Sequence, residues 1–212
     1  MMAALSTAGM RYLALGDSYT IGEGVEVAGR WPVQLANALR AEGIALRDPR
    51  IIATTGWTTD ELSSAIDVAE PLGHWDLVTL LIGVNNQYRG RSLVDYRVEF
   101  GELLHRAIGF ANGRRDRVLV LSIPDWGITP FGVHEAANGG RGNVSAEIDA
   151  FNAAARTVCE KHGVAFVDIT PASRERGAEA DQVAEDGLHP SAAMYTTWTR
   201  HALPVARGLL AK

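Results

Sequence analysis

Short apolar runs alternate with longer segments of helical spacing along the whole chain. Five runs predict β-strands, and they read YLAL, RIIATTG, DLVTLLIG, DRVLVLSIPDW and VAFVDIT. The run DLVTLLIG is too apolar to have a wet face, so it predicts a central parallel strand that is buried on both sides. The segments between the runs predict helices: RWPVQLANALRAEG, TTDELSSAIDVAE, the region of residues 93–108, VSAEIDAFNAAARTVCEKHG and SAAMYTTWTRHAL.

This alternation predicts an α/β fold in a single domain, residues 1–212. Strands that are each followed by a helix imply right-handed crossovers, hence a five-stranded parallel sheet inside a three-layer α/β/α sandwich. In open sheets of this type ligands bind beyond the carboxyl ends of the strands. The loops after strands one to four are therefore where chemistry is expected.

Composition and charge exclude several classes of partner. The 212 residues are 47% hydrophobic and 21% charged, which is an ordinary globular balance. The formal net charge of −5 comes without a run of Lys and Arg, which argues against nucleic acid and against anionic lipid. No stretch is long and apolar enough to span a bilayer, so integral membrane association is not expected. Nothing in the sequence indicates an oligomeric state.

The N-terminus and the single cysteine bear on localisation. The first residues lack a basic region and an uninterrupted apolar region, so they predict a cytoplasmic protein, with secretion the alternative if a signal has been removed. Cys159 has no second cysteine to pair with, which fits a reducing compartment.

The loops that follow the first and second strands each carry a candidate reactive group. Ser18, in GDSYTIGEGV, stands where the first strand ends and can present a hydroxyl and a backbone N–H at the top of the sheet. A turn or helix-cap role is the alternative reading of Ser18. Gly56, in TTGWTTDEL, either makes a turn or offers a bare N–H that a substrate oxygen can approach closely.

The loop after the third strand is LIGVNNQYRG. Asn85 and Asn86 follow a buried strand directly, where a side-chain amide can donate to a developing negative oxygen or simply make a turn. Gln87 and Tyr88 extend this polar patch and can line a pocket.

The segment AEDGLHPSAAMY places Asp186 and His189 three residues apart. This spacing lets the carboxylate fold back against the imidazole, fix its tautomer and stabilise the imidazolium, although capping of the last helix is an alternative role. The other histidines lack the spacing that a metal needs, so no metal is predicted; they are His74, His105, His134, His162 and His201.

These segments together resemble the SGNH hydrolases, also called the GDSL esterase and lipase family. The four blocks of the family are present as GDS at 16–18, Gly56, GVNN at 83–86 and DGLH at 186–189. The resemblance implies a flavodoxin-like fold and a serine hydrolase that cleaves small-molecule carboxylic esters through an acyl-enzyme, without a cofactor. The third block usually reads Gly-x-Asn-Asp, whereas this chain has Asn86 in place of the Asp.

The resemblance also implies a role for each matching residue. Ser18 is expected to be the nucleophile, His189 the general base and then general acid, and Asp186 its orienting partner. The oxyanion hole would consist of the Ser18 N–H, the Gly56 N–H and the Asn85 amide.

The long segment from Pro124 to Asn143 is expected to form one wall of the site, or else to tuck onto the body of the protein. The candidate pocket residues are Asp17, Trp57, Asn86, Gln87, Tyr88, Trp126, Ile128 and Phe131. No amphipathic lid is apparent, which favours short-chain acyl or acetyl esters. A glycan O-acetyl esterase or acetyltransferase, and a non-catalytic ligand-binding module, are the alternatives.

Overall fold

The computed structural model describes residues 9–140 and 142–211. Residues 1–8, on which the prediction of no secretory signal partly depends, lie outside the described residues. The strands are β1 Tyr12–Gly16, β2 Arg50–Ala53, β3 Leu77–Leu81, β4 Val118–Leu121 and β5 Ala165–Val167. They form one parallel sheet in the order β2-β1-β3-β4-β5, which is the flavodoxin-like order. The predicted α/β fold with a five-stranded parallel sheet is confirmed.

The centre of the sheet is buried on both faces. Every residue of β1 and of β3 is buried, as the apolar run DLVTLLIG predicts. Thr79 is the one polar side chain within β3, and its hydroxyl shares a hydrogen bond of 3.1 Å with the Tyr12 hydroxyl. The buried polar group is thereby satisfied.

Helices cover the sheet in two layers. In chain order they are α1 Ser18–Ile21, α2 Trp31–Ala41, α3 Thr59–Ala69, α4 Val84–Tyr88, α5 Leu93–Phe110, α6 Pro130–Ala137, α7 Val144–His162, α8 Thr170–Arg176 and α9 Ala192–Leu210. Helices α2 and α9 pack against each other as one layer, and α3, α5 and α7 pack side by side as the other. No helix within residues 9–140 and 142–211 is both long and apolar enough to cross a membrane.

Short helices occupy segments that the sequence pattern predicts as loops. Helix α1 begins directly at Ser18, α4 contains the two asparagines of the third loop, and α6 lies inside the long segment 124–143. Each is only four to eight residues long, too short for a periodic apolar face to be visible in the sequence. Local caps start two of them: the Asp17 carboxylate accepts from Tyr19 N at 3.1 Å, and the Thr129 hydroxyl accepts from Gly132 N at 3.1 Å.

Candidate active site

The residues with candidate chemistry converge where the central strands end. Gly16, the last residue of β1, lies in register with Ala53 of β2 on one side and with Leu81 of β3 on the other. The segments that follow these strands therefore leave the sheet side by side. Ser18, Gly56 and Asn85 line one cavity of about 210 Å³ together with His189.

Ser18 is the first residue of α1, immediately after a tight turn. Gly16 has no room for a side chain, because a Cβ there would lie 2.4 Å from the Leu81 carbonyl oxygen. This close approach lets the chain turn sharply from β1 into the helix. The Ser18 N–H belongs to the first turn of α1, where backbone N–H groups have no partner within the helix.

Asp17 does not line the cavity. Its side chain is fully buried and caps α1 through Oδ1, while Oδ2 has no hydrogen-bond partner among the described residues. Burial raises the pKa of this carboxyl to about 7, and the hydrogen bond from the Tyr19 N–H opposes that rise only in part. Asp17 therefore shapes the turn before Ser18 from inside the protein.

Gly56 is held in a turn by hydrogen bonds on either side. The Trp57 N–H donates to the Thr54 carbonyl at 3.3 Å, and Gly56 has a φ of 88°, which strains any residue with a side chain. Arg89 donates from Nη2 to the Gly56 carbonyl at 2.6 Å and forms an ion pair with Glu61. The peptide beside the cavity is therefore fixed in orientation.

Asn85 contributes its side-chain amide to the same cavity. Its Nδ2 donates to the Trp57 carbonyl at 2.9 Å, which occupies one of the two N–H groups of the amide. The second N–H remains for an acceptor in the cavity. Asn85 and Gly56 are thus tied together through the backbone of Trp57.

Asp186 and His189 form a hydrogen-bonded pair at the cavity edge. His189 Nδ1 lies 2.5 Å from Asp186 Oδ2, while Asp186 Oδ1 accepts from the N–H groups of Leu188 and His189 at 2.9 Å each. Partial burial of Asp186 disfavours its charge, but the hydrogen bonds from His189 and the backbone outweigh burial and lower the pKa of this carboxyl. A carboxylate held in this way keeps the imidazole in one orientation.

Aromatic side chains form the apolar wall of the cavity. Tyr88 meets Trp126 edge-to-face at 5.4 Å between ring centroids, and Trp126 meets Phe131 at 6.2 Å. Leu188 completes this wall. The Phe131 N–H donates to the Gly187 carbonyl at 3.0 Å, so the start of α6 is joined to the segment that carries His189.

Four predicted pocket residues besides Asp17 lie outside the cavity. Asn86 and Gln87 are buried, and Gln87 Oε1 accepts from the Trp126 indole N–H at 2.9 Å, which holds the wall in place from behind. Trp57 packs against the hydrophobic core, and Ile128 lies beside Gly177. A short helix has an inner and an outer face, and the sequence alone does not show which residues of 84–88 face inward.

Four residues that line the cavity are not predicted from the sequence. They are Tyr19, Thr55, Val84 and Leu188. Each is a direct neighbour in sequence of a motif residue, and that adjacency is the signal that could have found them. Among the described residues no group of three or more His, Cys, Asp or Glu side chains is arranged to hold a metal ion.

Comparison with known proteins adds a family match to this geometry. The model of the GDSL-like Lipase/Acylhydrolase family matches residues 14–197, which include all the motif residues of the cavity. No curated protein matches the chain.

Solved structures with the same fold match almost the whole chain. The structure of TesA has a TM-score of 0.72 at 19% identity, and the match covers 94% of this chain and 99% of that one. LAE5, an alpha/beta hydrolase enzyme from the metagenome of Lake Arreo in Spain, has a TM-score of 0.68 at 24% identity, with 96% and 97% covered. The lipase/acylhydrolase from Enterococcus faecalis has a TM-score of 0.65 at 22% identity, with 94% and 96% covered. At these identities the likeness is one of fold.

Proposed function

Because the chain belongs to the GDSL-like lipase/acylhydrolase family and is a carboxylic ester hydrolase, we propose that it cleaves short-chain acyl esters through a Ser18–His189–Asp186 triad. One observation carries the proposal. Ser18, Gly56, Asn85 and His189 line the same cavity, and His189 is hydrogen-bonded to Asp186 at 2.5 Å.

Each of the three side chains of the triad has a separate role. Asp186 accepts the Nδ1 proton of His189, which leaves Nε2 free to take the proton of the Ser18 hydroxyl. As Ser18 Oγ attacks the ester carbonyl carbon, the proton moves to Nε2 and the imidazolium is stabilised by the Asp186 carboxylate. The lowered pKa of Asp186 supports this role, because the group then remains charged at neutral pH.

In this proposal three N–H donors stabilise the oxyanion. They are the backbone N–H groups of Ser18 and Gly56 and the second amide N–H of Asn85. Donors that are fixed before the reaction need no reorganisation when negative charge develops. The bonds from Asn85 to Trp57 and from Arg89 to Gly56 support such preorganisation.

The reaction proceeds in two acyl transfers. His189 returns its proton to the alcohol oxygen as the carbon–oxygen bond of the ester breaks, and the acyl group stays on Ser18 Oγ. A water molecule then attacks the acyl-enzyme, again giving its proton to His189. Release of the carboxylic acid restores the Ser18 hydroxyl.

The size and lining of the cavity support small acyl groups. A volume of about 210 Å³ lies below the roughly 300–1,000 Å³ of most ligand pockets, and the apolar wall is formed by Tyr88, Trp126, Phe131 and Leu188. Trp126 is itself buried and anchored by Gln87, so it does not move aside easily for a long chain.

The test is hydrolysis of p-nitrophenyl esters from acetyl to palmitoyl by the wild type and by Ser18→Ala. We expect turnover that is highest for the short esters and that vanishes in Ser18→Ala, together with loss of labelling by a fluorophosphonate. Ser64→Ala, an exposed serine on α3, is the matched control and should keep both activities. Unchanged turnover in Ser18→Ala would remove Ser18 as nucleophile, and a preference for palmitoyl would overturn the short-chain assignment.

A further inference from the structure

Asn86 directly follows Asn85 on α4, and its side chain is fully buried. Its Oδ1 accepts from the Thr59 N–H at 3.1 Å, at the first residue of α3. Its Nδ2 donates to the Thr59 hydroxyl at 2.7 Å. The amide therefore acts as acceptor and donor toward one residue, which a carboxylate cannot do.

Glu99 of α5 supplies a carboxylate to the same cluster. The Thr59 hydroxyl donates to Glu99 Oε2, and Asn86 Nδ2 lies 3.5 Å from that oxygen. Thr59 is fully buried, and Glu99 is half-buried and contacts α3 through Thr59 and α4 through Asn86. The three side chains join the beginning of α3, the middle of α4 and the middle of α5.

The position of this cluster relates it to the cavity. Asn86 directly follows Asn85, and Thr59 comes three residues after Gly56. We infer that Asn86, Thr59 and Glu99 form a positioning clamp that fixes the spacing between the Gly56 and Asn85 donors, and that Glu99 is the reason position 86 carries an amide. The inference rests on the proposed function, because it assumes that these two donors bind the oxyanion.

Electrostatics favour an amide over a carboxylate at position 86 in this chain. An Asp there would bring a second, fully buried carboxylate to within about hydrogen-bond distance of the partly buried Glu99, where like charges cost more than in water. Arg91 also interacts electrostatically with Glu99, but it forms its ion pair with Asp60, and Arg89 forms an ion pair with Glu61. Neither arginine makes an ion pair with Glu99 that would balance a second carboxylate.

The experiment is a double-mutant cycle of the wild type, Asn86→Asp, Glu99→Gln and Asn86→Asp/Glu99→Gln, measured at pH 5 and pH 8 on the best ester. Asn86→Asp should lower kcat about tenfold or more at pH 8 with little change in KM, since neighbouring residues couple at this level. Relative to the wild type it should recover at pH 5, where the pair of carboxyls shares a proton.

The double variant restores one carboxylate and one amide with their places exchanged. It should therefore recover most of the kcat at both pH values, to within about threefold of the wild type, as coupled residues do when their interaction is rebuilt. Asn37→Asp adds the same charge on the exposed face of α2 and is the matched control. A double variant as slow as Asn86→Asp, or an Asn86→Asp enzyme with normal kcat and an unchanged pH profile, would overturn the inference.

Thermal unfolding of the same four proteins separates this inference from the proposed function. The clamp predicts that Asn86→Asp lowers the Tm more at pH 8 than at pH 5 and that Glu99→Gln reverses the loss, whatever the activity on esters. If Asn86→Asp fails to fold at pH 8, the inference is tested by whether the added Glu99→Gln substitution restores folding at that pH. A Tm that does not depend on the combination at 86 and 99 would count against the clamp even in an active enzyme.

Discussion

The carboxyl of Asp17, one residue before Ser18, is fully buried in the folded protein. Burial raises the pKa of this carboxyl to about 7, and the backbone N–H groups of Tyr19, Asp17 and Gly83 oppose that rise only in part. Among the described residues it forms no ion pair. In the unfolded chain the same group titrates near 3.8. Asp17 therefore links the stability of the fold to pH at the position where the reactive serine is presented.

Asp17→Asn should make the protein more stable at pH 8. The folded wild type holds the proton longer than the unfolded chain does, so its free energy of unfolding decreases as pH rises from about 4 to about 7. An amide cannot ionise and still accepts from Tyr19 N, so the variant should gain up to about 4 kcal/mol at pH 8, a gain that shrinks toward pH 4. Urea unfolding across this range measures the effect, with the exposed Asp48→Asn as control. A variant that is less stable at pH 8 would contradict the account.

A substitution of Asn85 tests whether its side chain is part of the oxyanion hole. Asn85→Ala removes one donor while leaving Ser18, His189 and the apolar wall in place, and loss of such a donor typically lowers kcat about 10²–10³-fold. Steady-state kinetics on the best ester should show this loss in kcat with a KM close to that of the wild type. Near-normal turnover would mean that Asn85 only fastens the Trp57 carbonyl.

At the scale of elements, the short helices between strands and long helices build the cavity. Helix α6 contributes Phe131 to the wall and is tied by its first turn to the Gly187 carbonyl. Helix α4 presents Asn85 outward and buries Asn86 and Gln87. The outward faces of these helices thus decide which groups a substrate meets, and the inward faces hold those groups still.

Phe131→Ala should widen the cavity and shift the preference toward longer acyl chains. Room for one additional methylene in an apolar pocket is worth about 10-fold or more, so the ratio of kcat/KM for hexanoyl over acetyl esters should rise by at least about tenfold. Val133→Ala, on the exposed side of the same helix, should leave the ratio unchanged. The chain-length profile of p-nitrophenyl esters gives the answer directly, and an unaltered profile would place the acyl group elsewhere.

The sequence predicts the strands and long helices well because each repeats its apolar pattern over enough residues. It predicts α1, α4 and α6 poorly, since their starts depend on single caps such as Asp17 and Thr129. The motif order indicates correctly that Ser18, Gly56, Asn85 and His189 converge. The burial of Asn86 and its bond to Thr59 could not be foreseen, because they depend on how two neighbouring helices approach each other.

At the scale of the whole molecule, the sheet order explains why the site lies at one end. The order reverses between β1 and β3, so the chain leaves these two strands toward opposite layers of helices and opens a crevice above them. Ser18 follows β1 and Asn85 follows β3, on the two sides of that crevice. His189 comes from a segment late in the chain, just before α9, and lines the same cavity.

The two edges of the sheet are very short. Among the described residues β2 and β5 form these edges, with four and three residues, and β2 begins at the exposed Arg50. Another chain can add to an exposed strand edge through backbone hydrogen bonds. Short or charged edge strands offer few unpaired backbone groups for such pairing. The protein therefore presents few sites at which copies could join into β-aggregates, even though its central strands are almost wholly apolar.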